Sequence, residues 1–126
     1  MNPKKEKNTL FQSFKHAFNG ISSLFKERNF KIHSIIALLV IIAGFFFRIT
    51  IAEWILLLLT ICSVFVAEAL NTCVEKVCDF ITPNYHKRIG IIKDIAAGAV
   101  LIAVIISVII GILVFRPYIW AYFNFT

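Results

Sequence analysis

Charged residues are scarce in this chain of 126 residues. Asp, Glu, Lys and Arg make up 16% of it, and only seven residues are acidic, whereas about 25% of a typical soluble chain is charged. Apolar residues stand in their place, reaching 60% and including 13 Phe. A water-soluble core of this length cannot bury so much apolar surface. This composition excludes a two-domain soluble enzyme and a disordered chain, and it indicates a membrane protein.

Several motifs of soluble enzymes and scaffolds are missing as well. The three cysteines, at positions 62, 73 and 78, have neither CxxC spacing nor a Cys/His zinc pattern, which excludes a disulfide scaffold and favours apolar packing of free thiols. The chain lacks a phosphate loop of the GxxxxGKS or GxxxxGKT type, and it lacks GxSxG and HExxH. The first apolar run begins too late for a signal peptide, so none is expected.

Three apolar segments predict three transmembrane helices, at residues 32–50, 51–80 and 93–116. A helix needs roughly 20 residues to cross a membrane, so the second segment is long enough to continue beyond it. The whole chain, residues 1–126, is expected to form a single membrane domain. The fold class that follows is all-α and integral to the membrane.

A further helix is predicted ahead of the first span, over residues 8–30. Phe11, Phe14, Phe18 and Phe25 recur on one face of it, with polar and basic residues between them. Such an amphipathic pattern suits a helix that lies in the bilayer interface. The same face could equally pack on the transmembrane bundle, and the two interpretations are compatible.

Basic residues divide unevenly between the two sides of this three-span arrangement. Seven of the 13 precede the first span and four lie between the second and third spans, so eleven share one side. The positive-inside rule therefore predicts a cytoplasmic N-terminus and an outside C-terminus. The net charge of +6 is attributed to this topology and to attraction by anionic lipids, and no nucleic-acid partner is expected.

The most informative segment is AEALNTCVEKVCDF, residues 67–80. At about 100° per residue in an α-helix, one face carries four polar side chains, with Thr72 beside them; they are Glu68, Asn71, Glu75 and Asp79. Glu68 is expected at the edge of the hydrocarbon, and the others beyond it. A carboxylate at that margin should be paired, protonated or functional. We call this face the polar stripe.

Stacked carboxylates repel each other, and a cation relieves that repulsion. Magnesium is commonly held by one or two carboxylates together with substrate phosphates, so the polar stripe predicts half of a metal–phosphate site. Glu27 is a candidate second carboxylate, and Lys93, beside Asp94, is a candidate phosphate ligand. The plainer interpretations are a solvated helix end for the stripe, a surface charge for Glu27 and a positive-inside anchor for Lys93.

Two sequence stretches together resemble the signature of the prokaryotic diacylglycerol kinase family. They are EALNTCVEKVCD and, after a short loop, HKRIGIIKDIAAGAVLI, and the upstream SFKHAFNGISSLFKERNFKIH is similar as well. The segments ERNFKIH and EKVCD are most similar to the Gram-positive branch of the family, the undecaprenol kinases. The resemblance extends over residues 11–114.

The resemblance implies a small kinase of the bacterial plasma membrane that is a homotrimer with shared active sites. It implies transfer of the γ-phosphate of ATP, with Mg²⁺, to the hydroxyl of a membrane lipid. Matching positions imply Glu68 as catalytic base, Asn71 as the residue that orients the reacting groups, and Glu27 and Glu75 as metal ligands. The remaining implied nucleotide-binding positions are Asn84, Tyr85, His86, Lys93, Asp94, Asn19 and Gly20. Thr72 and Asp79 are expected to have supporting or structural roles.

Three alternatives stay open at this point. Diacylglycerol is an alternative acceptor to undecaprenol, and no single residue distinguishes them. A small proton-coupled oligomeric transporter using Glu68 is an alternative of another class, although transport sites usually lie near the membrane midplane. A purely structural membrane peptide, with polar residues that serve helix association, leaves the ordered carboxylates unexplained.

Overall fold

The structure of the chain, a computed structural model, describes residues 9–84 and 86–124. These residues form four helices, which are α1 (Leu10–Leu24), α2 (Arg28–Phe47), α3 (Ile51–Ile81) and α4 (Lys87–Asn124). The last three are each long and apolar enough to cross a membrane, which confirms the three predicted spanning helices. Tyr85, one of the expected nucleotide-binding residues, lies outside the described part of the chain, as do residues 1–8 and 125–126.

Helix α1 makes few contacts with the rest of the described chain. It begins at a capping box, in which Oγ1 of Thr9 accepts from the backbone N–H of Gln12 while Oε1 of Gln12 accepts from the backbone N–H of Thr9. Such boxes satisfy backbone donors that the first helical turn leaves open. All of its residues except Leu24 are exposed, so its apolar side chains contact little of this protomer.

The end of α1 differs from the predicted boundary at residue 30. The helix ends at Leu24, and a turn over 25–27 leads directly into α2. Phe25 packs edge-on against Phe30, with 5.0 Å between ring centroids, and Phe30 stacks on Phe65 of α3 at 5.0 Å. These aromatic contacts favour a turn that the apolar periodicity alone does not reveal.

A tight connection joins α2 to α3. Arg48 has a left-handed backbone (φ 52°) that ends α2, and a Thr50–Glu53 capping box begins α3. Gly44 lies where the two helices approach, because a Cβ atom there would come within 2.8 Å of the Trp54 ring. The absence of a side chain at Gly44 therefore sets how closely α2 and α3 pack.

Helix α4 is longer at both ends than the predicted span 93–116. It begins at Lys87, in what the sequence suggested was a linker, and it continues through Pro117 to Asn124. Proline removes one helical N–H donor. Beyond it, the hydroxyl of Tyr118 donates to Oε2 of Glu53 at 2.6 Å, and this bond to α3 holds the segment in place.

The three long helices run alternately up and down, with α3 packed more extensively on α4 than on α2. Near the α2–α3 connection lies a small apolar core of Ile49, Leu57 and Val114. At the opposite end, the C-terminal end of α3 meets the N-terminal ends of α2 and α4. We call this second region the polar end of the bundle, because it carries Glu27, Glu68, Glu75, Asp79 and Lys93.

Candidate functional site

One face of α3 is buried along most of its length. Its buried residues recur mainly at steps of three and four, and they are Leu57, Thr60, Val64, Glu68, Asn71, Thr72 and Cys78. In the first half this face is mostly apolar, as expected of a spanning helix against its neighbours. In the second half the same face becomes polar without turning toward solvent. The first part of the polar stripe, Glu68 and Asn71, therefore continues the packing surface. Further along, Glu75 is half-buried and Asp79 is exposed.

Glu68 is the most deeply buried acidic residue that the structure describes, with 2% of its surface exposed. Among the described residues no hydrogen bond or ion pair joins its carboxylate to another side chain. Burying an ionised carboxylate without a partner is costly. A buried carboxylate with no partner among the described residues is a candidate for contact with a ligand.

Asn71 lies one turn beyond Glu68 on α3 and contacts the next carboxylate of the stripe, Glu75. Its Nδ2 donates to Oε1 of Glu75 at 3.1 Å, which fixes both side chains on one face. The Oδ1 atom of Asn71 is buried and has no hydrogen-bond partner within the described part of the chain. An unsatisfied buried acceptor costs about 1–3 kcal/mol, so this atom is available to a donor that arrives with a ligand.

Two lysines bridge the polar end. Nζ of Lys76 lies 2.7 Å from Oε1 of Glu27, and Nζ of Lys93 lies 2.5 Å from Oδ1 of Asp79. Glu27 occupies the N-cap position of α2 but makes no capping hydrogen bond with its side chain. Its carboxylate instead reaches α3, so the first pair ties α2 to α3 and the second ties α4 to α3.

The structure thus brings together most of the residues that the sequence singled out in α2, α3 and α4. Thr72 is buried beside the stripe, whereas Asn84 and Asp94 are exposed. Neither of the last two makes a hydrogen bond or ion pair with the stripe among the residues described here. Nδ1 of His86 accepts from the backbone N–H of Arg88 at 3.3 Å, which orients the ring at the start of α4.

Asn19 and Gly20 stand apart from the polar stripe in this protomer. Both are exposed on α1, and the backbone oxygen of Asn19 accepts from the Ser23 hydroxyl at 3.0 Å. No heavy atom lies within 4 Å of a Cβ built on Gly20. Open space at this glycine leaves room for a ligand or for a neighbouring molecule.

The donor set suits a magnesium ion that shares its coordination with phosphate. No group of three or more His, Cys, Asp or Glu residues in the described segments could hold a metal alone. One or two carboxylates completed by phosphates and water are the usual arrangement for Mg²⁺. Glu75, bonded to Asn71, and Glu27, paired with Lys76, are the candidate carboxylates at this end. The unpartnered oxygen of Asn71 gives the site further capacity for a polar ligand.

An apolar groove opens beside this site between α3 and α4. It has a volume of about 740 Å³ and reaches from Asn71 along Ala67, Leu70 and Ala96. Its walls are almost wholly apolar apart from Asn71, so it suits a hydrocarbon chain or an apolar helix face. A second groove of about 820 Å³ lies between α2, α3 and α4 and extends from His33 to Trp120 and Asn124, at the end of the bundle away from the polar end.

Sequence reasoning overlooked Lys76. It was counted among the basic residues that indicate topology, although it directly follows Glu75 on α3. The signal that could have found it is this position beside the stripe, because a long cationic side chain there can reach a neighbouring helix. Its partner could not be predicted, since the turn at 25–27 is what brings Glu27 close.

Comparison with known proteins gives a consistent result. The family model described as prokaryotic diacylglycerol kinase matches residues 15–115. The chain is 43% identical over 115 residues to the undecaprenol kinase of Bacillus subtilis (strain 168), covering 90% of this chain and 94% of that protein. It is 41% identical over 104 residues to a diacylglycerol kinase of Synechocystis, covering 81% of this chain and 59% of that protein.

A third relative is less similar in sequence. The diacylglycerol kinase of Escherichia coli (strain K12) is 32% identical over 83 residues, which cover 66% of this chain and 68% of that protein. The match to the family model includes the whole polar stripe, Glu27 and Lys93. All the residues that form the polar end of the bundle therefore lie within the shared region.

Proposed function

The chain belongs to the prokaryotic diacylglycerol kinase family, and we propose that it transfers the γ-phosphate of ATP to the hydroxyl of undecaprenol at the cytoplasmic interface of a bacterial plasma membrane. Membership of the family makes it an ATP-dependent lipid kinase. The acceptor, the residues that act and the metal are the proposal. The observation that carries it is the polar stripe, in which buried Glu68 continues the packing face of a spanning helix.

Glu68 is proposed as the catalytic base. It lies 17 residues after the first residue of α3, which is roughly 26 Å along the helix at about 1.5 Å per residue, close to the far side of a hydrocarbon layer of about 30 Å. A lipid hydroxyl at the interface arrives at that depth. The proton of the hydroxyl passes to Glu68, a bond forms between the lipid oxygen and the γ-phosphorus, and the bond from that phosphorus to the β–γ bridging oxygen of ATP breaks.

Glu75 and Glu27 are proposed to hold Mg²⁺ at the phosphates of ATP. When bound, the ion neutralises charge on the transferring phosphoryl group. Asn71 fixes Glu75 through the 3.1 Å hydrogen bond and orients the reacting groups with its unpartnered oxygen. Phosphoryl transfer depends mainly on positioning and charge stabilisation, and these side chains supply both.

The nucleotide is proposed to lie beyond the metal, against the start of α4. Lys93 would contact a phosphate, and Asp79 positions the Lys93 ammonium through their ion pair. Thr72 supports the stripe from its buried position beside Asn71. Further nucleotide contacts are proposed for Asp94, Asn84, Tyr85, His86, Asn19 and Gly20, because they match the family pattern at exposed positions on either side of the polar end, with Tyr85 outside the described residues.

Undecaprenol is proposed as the acceptor because the similarity to an undecaprenol kinase is 43% and extends over most of both chains. The apolar groove beside Asn71 offers room for part of a long prenyl chain. Diacylglycerol is the second candidate, favoured by the 41% identity to a relative that carries that name. Both acceptors present a hydroxyl at the interface, so the same stripe serves either.

Location and assembly complete the proposal. The excess of basic residues near the polar end supports a cytoplasmic location for that end, with the N-terminus inside and the C-terminus outside. The exposed apolar side chains of α1 suit a helix that lies in the bilayer interface. A homotrimer with shared sites is proposed from the resemblance to the family, and the grooves left open on one protomer are compatible with contacts between subunits. A transporter is disfavoured, since Glu68 lies near one edge and the carboxylates continue beyond it.

A radiolabelled-ATP assay of the purified chain tests the acceptor directly. Undecaprenol and diacylglycerol are presented side by side in matched mixed micelles, with Mg²⁺ and with EDTA. We expect labelling that requires Mg²⁺, with a higher kcat/KM for undecaprenol than for diacylglycerol. A higher kcat/KM for diacylglycerol would reverse the acceptor assignment, and labelling of neither lipid would contradict the proposed function.

A further inference from the structure

Lys76 occupies an unusual position at the polar end. It follows Glu75 on α3, yet its ammonium pairs with Glu27 on the neighbouring element at 2.7 Å. Its side chain is 64% exposed, whereas that of Glu27 is 36% exposed. The pair therefore lies at the water-accessible edge of the site, where a small cation can enter.

The two carboxylates proposed above as magnesium ligands thus both adjoin the same lysine. Lys76 is the chain neighbour of Glu75, and it is the ion-pair partner of Glu27. An ammonium group carries one positive charge and offers only donors. A divalent cation bound to the Glu27 carboxylate would lie close to the Lys76 ammonium, which is 2.7 Å from Oε1. The two positive charges repel, so each weakens the binding of the other.

We propose that Lys76 is a stand-in cation for the metal. With no metal bound, its ammonium holds the Glu27 carboxylate toward α3 and offsets the repulsion between Glu27 and Glu75. When a divalent cation binds, Lys76 leaves Glu27. This inference depends on the proposed function of the two carboxylates, and it adds a positioning residue that competes with the metal.

The competition has a limited size, because the ion pair is exposed. Exposed ion pairs contribute little and are screened by salt, so losing the pair should tighten metal binding by about two- to fivefold. The pair serves to pre-position Glu27, and a weaker metal affinity is the consequence. Without Lys76, the Glu27 side chain is also expected to be less ordered before the metal arrives.

The test uses the purified full chain in detergent micelles, with Mn²⁺ alone as the probe and no nucleotide. Electron paramagnetic resonance of free Mn²⁺ gives the Kd. We expect Lys76→Gln to lower the Kd two- to fivefold, and Lys76→Arg, which keeps the charge, to give a Kd no lower than that of the parent. Lys87→Gln removes an exposed charge at the same end and should change the Kd by less than about 1.5-fold, because an exposed charge has little effect at a distance.

A second measurement uses the unmodified chain and so does not depend on the folding of a variant. Acetylation of lysines by a water-soluble reagent, quantified by mass spectrometry, should increase at Lys76 when Mn²⁺ is added and stay constant at Lys87. Unchanged labelling of Lys76, or equal tightening by Lys76→Gln and Lys87→Gln, would overturn the stand-in role while leaving the metal site intact. Failure of the parent to bind Mn²⁺ saturably, with a Glu75→Gln variant behaving identically, would overturn the metal site itself.

Discussion

Replacing Glu68 with glutamine is the sharpest test of the chemistry. Glu68 is 2% exposed, and no side chain among the described residues bonds to its carboxylate. Glutamine has nearly the same size, and it exchanges one buried, unpartnered polar group for another. The fold should therefore survive the change, while the ability to take a proton is lost.

The expected loss follows from the role of a base. General-base catalysis typically contributes 10²–10⁴-fold, which corresponds to about 3–5 kcal/mol at roughly 1.4 kcal/mol per tenfold. Initial rates with radiolabelled ATP and undecaprenol in mixed micelles should show kcat reduced by that factor, with the KM for ATP within about threefold of the parent. A base acts in the transition state, so kcat and kcat/KM fall together.

A matched control lies on the same helix. Glu53 is also a carboxylate of α3, 15 residues earlier and so roughly 22 Å away. Glutamine keeps an acceptor oxygen for the Thr50 capping box and for the Tyr118 hydroxyl. Glu53→Gln should keep near-parental turnover. Two outcomes would refute the assignment of Glu68 as base. One is a Glu68→Gln enzyme whose turnover stays within threefold of the parent. The other is a tenfold loss of ATP affinity with unchanged turnover at saturating ATP.

Three further changes test other parts of the site and fold. Glu75→Gln should abolish Mg²⁺-dependent transfer and saturable Mn²⁺ binding while the oligomer seen by size-exclusion chromatography stays assembled; retained turnover would contradict the metal role. Asp79→Asn removes the partner of Lys93 and should raise the KM for ATP about two- to fivefold with a smaller effect on kcat; a selective loss of kcat would instead place Asp79 among the reacting groups. Gly44→Ala puts a Cβ 2.8 Å from the Trp54 ring and should lower the free energy of unfolding by about 1–3 kcal/mol. The melting temperature should fall, while turnover per folded molecule stays unchanged. An unaltered melting temperature would show that α2 and α3 can move apart at this position without cost.

The long helices could be predicted from sequence because their signals are local. The predicted span 51–80 differs by one residue from the observed Ile51–Ile81. Thr50 and Glu53 mark its start as a capping box, and the segment that contains Pro83 marks its end. Apolar content over some 20 residues identifies the spans whatever their neighbours are.

The boundaries that depend on tertiary contacts could not be predicted in the same way. The apolar stripe runs through Phe25 without interruption, and only the packing of Phe25 on Phe30 accompanies the turn that follows. Pro117 is an ordinary stop signal, yet the Tyr118–Glu53 hydrogen bond extends α4 past it. Local pattern gives no access to either contact.

The candidate site divides along the same line. The spacing of the polar stripe predicts correctly that Glu68, Asn71 and Glu75 share a face, because helix geometry alone decides it. The ion pairs Glu27–Lys76 and Asp79–Lys93 could not be predicted in this way. They depend on how α2 and α4 are oriented about their axes relative to α3, which the sequence spacing does not give. Their catalytic and metal-binding roles stay predictions until the variants are measured.

The length of α3 allows one helix to carry side chains both within a membrane and beyond it. Its 31 residues extend about 46 Å, which exceeds a hydrocarbon layer of about 30 Å by roughly 16 Å. The distance from Glu68 to Asp79 is also roughly 16 Å. With the first residue of α3 at one edge of the hydrocarbon, the part of the helix that exceeds the layer is the part that carries the polar stripe, and Glu68 falls at the boundary. A kinase whose acceptor stays in the bilayer and whose donor stays in water needs its base at that boundary and its metal ligands beyond it. The roles proposed for Glu68 and Glu75 meet this requirement on a helix of this length.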